Sequence, residues 1–201
     1  MTASFRKHFN NVFAQLEDDG FLLLSDSKLP NVSRMIAGES LRGSWWSNVH
    51  AHTIFAVGEM LEDHPDVMIM KLISGKVTFV HRELWNRIYS IGVAREDWQL
   101  KNLSANAQQL LASLDDEGTI HKSGDIAREL ESRLLVHAEQ IHTESGKHAK
   151  VLETWPAWAK RARFRPRATD PVAARCFIET RLAEINKKHS GRGTLPWPQI
   201  S

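Results

Sequence analysis

The chain has 201 residues, enough for one domain or two small ones, and 42% of them are apolar. No apolar run approaches the roughly 18 residues a membrane span needs, and the N-terminus lacks the apolar stretch and cleavage site of a signal peptide. Cys176 is the single cysteine, which excludes an intrachain disulfide, so a cytoplasmic protein without a membrane partner is expected.

Net charge is only +2, but it is uneven. Residues 1–100 carry 10 Lys+Arg against 12 Asp+Glu, and residues 147–201 carry 12 against 4. A basic end of this kind faces a polyanion or is simply a solvated tail.

Residues 3–19 predict an amphipathic helix with Phe5, Phe9, Val12, Phe13 and Leu16 on one side and Gly20 as its stop. A short apolar run at 21–24 reads as a strand, and residues 30–38 as a short helix. The next module, 43–92, reads helix, hairpin, helix. Ile54, Val57 and Leu61 recur at helical spacing after a Ser47-Asn48 cap. The runs 67–73 and 76–80 predict a hairpin turning at Ser74-Gly75. Pairing outward from that turn sets Leu72 opposite Val77 and Met70 opposite Phe79 on a buried face. The face with Lys71, Thr78, Ile73 and Lys76 is left wet. Leu84, Trp85, Ile88 and Ile91 make a further helix, with Gly92 as its stop.

Residues 94–103, with Trp98, read as an irregular connector. Ser104 caps a helix with Ala107, Leu110, Leu111 and Leu114 as its buried stripe, closed by Gly118. A short strand at 118–120 and a helix at 125–135 follow, the latter buried along Ile126, Leu130 and Leu134. A second, more polar hairpin over 138–152 turns at Ser145-Gly146. Residues 155–169 hold five basic residues between Lys160 and Arg167 and two prolines. Asp170-Pro171 starts a last helix to about His189, with Ile178, Leu182 and Ile185 inward. The tail is Gly/Pro-rich and extended.

The expected fold is α+β, helix-dominant, with two tandem winged-helix-like modules built on two β-hairpins. Residues 1–100 hold the N-terminal helices and the first module. Residues 101–201 hold the second module and the basic segment, the two reading as one compact body.

The order Gly-Ser-Trp-Trp, helix, apolar hairpin, then HRELWNRIYSIG resembles a segment of the winged-helix DNA glycosylases that unhook interstrand crosslinks. The matching residues are Gly43, Trp45, Trp46, Arg82, Arg87 and Tyr89. The resemblance covers about a quarter of the chain and implies a tandem winged-helix scaffold. It implies no glycosylase activity, because the Gln-x-Gln motif of that family is absent.

Several clusters invite chemistry. His142 and His148 flank the second turn, where a two-residue loop pairs His142 with Ala149 and His148 with Thr143. The two histidines then diverge, which disfavours a metal. His50 and His52 diverge on a helix. Ser44 and Ser47 lack a triad partner. No motif implies a cofactor. Trp45 and Trp46 read as core anchors ahead of base-stacking residues. The best candidates are cationic. Lys147, Lys150, Lys160, Arg161, Arg163, Arg165 and Arg167 suit phosphate contacts, and Arg128 and Arg133 lie on the helix before the second hairpin. The expected function is nucleic-acid binding, with duplex DNA as partner in repair or regulation. One alternative is an enzyme acting on nucleic acid or a small molecule around Trp45, His50, His52 and Arg82. The other is a protein-interaction module.

Overall fold

A computed structural model describes residues 3–41, 43–142 and 148–199. Among these residues the protein is α+β and helix-dominant, with two three-stranded antiparallel sheets. It divides into two compact units, one of residues 1–85 and 177–195, the other of residues 86–176 and 196–201. Residue 100, the boundary read from the sequence, lies inside the second unit. No described helix is long and apolar enough to cross a membrane.

The first unit begins with α1 (Ala3–Asp19), ended by Gly20. Gly20 takes φ +74°, and its N–H donates to the Leu16 carbonyl at 2.8 Å. Then come β1 (Phe21–Leu23), α2 (Val32–Ala37), a 3₁₀ turn (Trp45–Ser47), α3 (Ala51–Glu62), β2 (Val67–Lys71) and β3 (Val77–His81). Asn31 caps α2 through its side chain. Helix α3 starts at Ala51, later than a Ser47-Asn48 cap would start it, and Asn48 Oδ1 accepts instead from the His50 N–H at 2.9 Å.

The sheet order is β1-β3-β2. The hairpin register differs by one residue from that read in the sequence: Lys71 faces Val77, Met70 faces Thr78 and Ile69 faces Phe79. The cause is the link 72–76, which is longer than a two-residue turn and carries two positive φ angles, at Ser74 (52°) and Gly75 (66°). A one-residue slip exchanges the faces. Phe79, Leu22, Val67 and Ile69 pack with Val12, Leu16, Val32, Ile54, Val57 and Leu61 of the helices. The other face is not wet: Phe21, Leu23, Met68, Met70, Thr78 and Val80 are all buried. Residues 177–195 return to this unit and bring Ile178, Leu182 and Ile185, all buried, into it. Thr78 is satisfied there, accepting from the Ile73 N–H and donating to the Lys76 carbonyl. Val77, expected in the core, is only half-buried.

Helix α4 (Trp85–Ala94) leads into the second unit. There follow α5 (Asp97–Leu100), where a connector was expected, α6 (Ala105–Glu117), β4 (Thr119–His121), α7 (Asp125–Ser132), β5 (His137–His142), β6 (His148–Glu153), α8 (Trp155–Arg161) and α9 (Pro171–His189). Helix α5 forms because Glu96 and Gln99 make a reciprocal capping box. The sheet order is β4-β6-β5. Leu152, with Ile120 and Ala138 opposite it, packs on Leu111, Leu114, Ala127 and Leu130. Leu110 is half-buried, while Leu114, Leu130 and Leu134 are core. His142 is the partner of His148, not of Ala149, and the Ser145-Gly146 turn and Lys147 lie outside the described residues.

Two helix boundaries depart from the sequence reading for one reason. Gly92 does not stop α4; it lies inside that helix, and a Cβ there would sit 2.0 Å from Trp155 Nε1. Helix α7 stops at Ser132 with Leu134 at φ 54°, the left-handed position where glycine is usual. The Leu135 N–H reaches the Leu130 carbonyl and the Leu134 N–H the Glu131 carbonyl, both at 3.1 Å, closing a Schellman motif. Trp155 Nε1 donates to the Leu134 carbonyl at 2.7 Å. The indole thus needs both a missing side chain at 92 and a carbonyl turned outward at 134.

Two stability measurements follow. Gly92→Ala drives a methyl into the indole and should cost at least 1–3 kcal/mol on the scale of overpacked cores, roughly. Phe79→Ala, in the first-unit core, should cost roughly 3–5 kcal/mol. Urea titrations of the two variants check both, and a loss below about 1 kcal/mol in either would refute that packing.

Candidate nucleic-acid interface

Of the nine cationic candidates Lys147 lies outside the described residues, and the other eight separate once their surroundings are known. Lys150 lies on the Leu152 side of β6 by strand alternation, the side covered by α7, and its ammonium pairs with the nearly buried Glu131 of that helix. Arg133 stands at the α7 C-terminus and donates to the Gln99, Lys101 and Asn102 carbonyls at 3.2, 2.6 and 3.4 Å. It closes the turn after α5 and is not turned toward a ligand. Arg128 is exposed and pairs with exposed Asp125, three residues earlier. Such a pair contributes little and exchanges readily for a phosphate.

Arg161 is structural. Its guanidinium grips Glu153 with Nε at 2.8 and 3.1 Å and Nη2 at 2.7 Å, and reaches Glu139 at 2.8 Å. The Glu153 side chain is only 5% exposed, and His137 Nδ1 lies 3.5 Å from its Oε2. Burial raises this carboxyl's pKa, but His137 and Arg161 more than reverse that and hold it at about 2, against an ordinary 4.5. The sheet explains the placement: Glu153 pairs with both Thr119 and His137, putting these residues on the face opposite Leu152.

Four cations remain. Lys160, Arg163, Arg165 and Arg167 are exposed, and no side-chain ion pair joins them to another described residue. Helix α8 was not expected within this basic stretch. Its signals were Thr154, whose Oγ1 accepts from the Ala157 N–H at 3.3 Å, and Pro156 in the first turn. The helix ends in a second Schellman motif, with Phe164 N–H on the Ala159 carbonyl at 2.8 Å and Arg163 N–H on the Lys160 carbonyl at 3.2 Å. Phe164 turns inward to Trp158 and Tyr89, ring centroids 5.8 and 6.4 Å away. Further on, the Arg167 N–H donates to Asn86 Oδ1 and Asn86 Nδ2 donates to Thr169 Oγ1, each at 2.6 Å. The segment is therefore clamped at both ends, with its arginines outside.

The residues of the alternative cluster each have neighbours of their own. Arg82 pairs with Asp66 at 3.2 Å and lies over the Trp85 ring. His50 is exposed at the start of α3, and His52 is exposed with its ring 5.6 Å from Phe5. Trp45 is half-buried, but Trp46 is not a core anchor, being 61% exposed. Among the described residues no group of three or more His, Cys, Asp or Glu could hold a metal. Compared with known families, curated proteins and solved structures, the chain matches none.

The Glu153 cluster makes stability pH-dependent. A depressed folded-state pKa stabilises the fold fully above about pH 4.5, and this is lost as pH falls toward about 2. The full effect is on the order of 3 kcal/mol. Arg161→Ala strands a buried carboxylate and should cost about 1–3 kcal/mol at neutral pH. It should also move acid unfolding to higher pH, read by circular dichroism. An unchanged acid midpoint would show that Arg161 does not hold Glu153.

Proposed function

We propose that the second unit is a winged-helix-type module that binds nucleic-acid backbone, duplex DNA in particular, in repair or regulation. One observation carries the reading: Lys160, Arg163, Arg165 and Arg167 are exposed, without ion pairs to described residues, on a segment whose backbone is fixed by Phe164 and Asn86. Cations that served the fold would be spent on acids, as Arg161 and Lys150 are.

The order helix, strand, helix, hairpin, with the first strand beside the third, supports a winged-helix type. Arg128, exposed on the helix before the hairpin, fits a supporting contact. The resemblance to crosslink-unhooking glycosylases lends weight to repair.

Arg163 adds a physical argument. It holds φ 50° at the Schellman position where glycine is favoured. A side chain there costs roughly 1–2 kcal/mol. Arginine at that point lowers stability and adds an outward charge.

The test is the salt dependence of binding to a fluorescein-labelled random duplex. Four phosphate contacts give a slope of log K against log salt of roughly −3 to −4. Arg163→Ala/Arg165→Ala/Arg167→Ala should flatten it by about 3 with little change in melting temperature. Arg163→Gly should reduce the slope by about 1 while melting no lower than wild type. Salt-independent binding, or none at low salt, would overturn the proposal.

A further inference from the structure

The outer side of α3 serves nothing described so far. His52, Phe55, Glu59 and Glu62 recur at i, i+3, i+7 and i+10, one stripe of the helix, and all are exposed. Next to it Trp46 stacks on Trp45 at 4.0 Å and approaches Phe55 at 5.6 Å. Val49 is 91% exposed and Phe55 38%. Single exposed apolar side chains are ordinary, but a grouped set rimmed by charge marks a docking surface. The stripe runs into an open groove of about 390 Å³ lined by Phe5, Ala56, Glu59, Met60, Glu62 and Asp63.

The groove's charge at Glu59 and Asp63 is costly where it stands. Its three carboxylates lie at the C-terminal end of α3, and the last turn of that helix has no basic residue. Negative charge there opposes the helix dipole. The same carboxylates repel phosphate, so this face does not suit nucleic acid. They suit cations, and the Trp46 indole farther along the stripe, by Phe55, also attracts Lys or Arg.

We propose that this face docks a partner protein through a short cationic and apolar segment. One or two bulky side chains sit on Trp46 and Phe55, and Lys or Arg side chains enter the groove at Glu59 and Asp63. The proposal does not depend on the nucleic-acid reading, since every residue it uses lies in the first unit.

The experiment pans a random peptide display library on the full chain and measures fluorescein-labelled consensus peptides by anisotropy. The expected consensus places an aromatic or aliphatic residue beside at least two Lys or Arg. Glu59→Lys/Asp63→Lys should weaken that peptide by about tenfold or more while leaving the melting temperature unchanged or higher. Trp46→Ala should weaken it as well. A consensus without basic residues, no consensus, or affinity indifferent to the charge reversal overturns the proposal. So does a concentration-dependent dimer that Trp46→Ala dissolves, which assigns the face to a second copy. Loss of duplex affinity in Trp46→Ala overturns it too, by assigning the face to nucleic acid.

Discussion

The second unit depends on where the Trp155 indole goes. Its Nε1 is bound to the Leu134 carbonyl, its edge fills the space left by Gly92, and it is 1% exposed. A buried indole N–H without an acceptor would cost on the order of 1–3 kcal/mol. The carbonyl is presented only because Leu134 is left-handed, and that conformation ends α7 and turns the chain into β5. The ring therefore sets the helix end, the strand start and the residue allowed at 92. Strain at Leu134 is tolerated because the surroundings over-determine it: the side chain is buried, and two helix-end hydrogen bonds close around it.

From that ring the packing reaches the surface in short steps. His137 contacts Trp155 and Trp158 at 6.1 and 5.7 Å, and Trp158 contacts Phe164. Phe164 lies between Arg163 and Arg165, so the aromatic cluster fixes the backbone that carries the proposed phosphate contacts. Arg161 is close to them in sequence and chemically the same, yet it points the other way, onto Glu153. Position on α8 decides this: Arg161 is on the helix and faces the sheet, whereas Arg163 is past its end.

The sequence was most legible where one element explained its own pattern. Helix α1 showed its apolar spacing, α6 its Ser104 cap, α9 its Asp-Pro start and both hairpins their strand runs. It was least legible where distant residues decide. Gly92 looks like a helix stop because glycine usually is one, and Leu134 looks helical because leucine usually is; Trp155 reverses both. The first hairpin seemed to have a wet face because its partners, β1 and the returning chain, lie far away in sequence. The basic run was visible as charge, but its division was not. Which arginines meet Glu153 follows from strand register and helix phase, neither of which a charge count contains.

The two sheets share an order, with the first strand beside the third and the last two joined as a hairpin. Their outer faces differ. In the first unit the tip is tied down: the Ser74 N–H donates to the Thr194 carbonyl at 2.8 Å, the Thr194 N–H returns to Ser74 Oγ at 3.1 Å, and Lys76 pairs with Asp26 at 2.6 Å. Asp26 is held below the usual carboxylate range; burial raises it, but Lys76 and the Lys28 and Leu29 N–H groups outweigh that. The tip of this hairpin is held to residue 194 and to Asp26, and the helix before it presents carboxylates. Equivalent topology therefore does not carry an equivalent surface. The second unit carries exposed cations at and beyond the end of α8, and the first carries exposed apolar side chains and carboxylates on and beside α3.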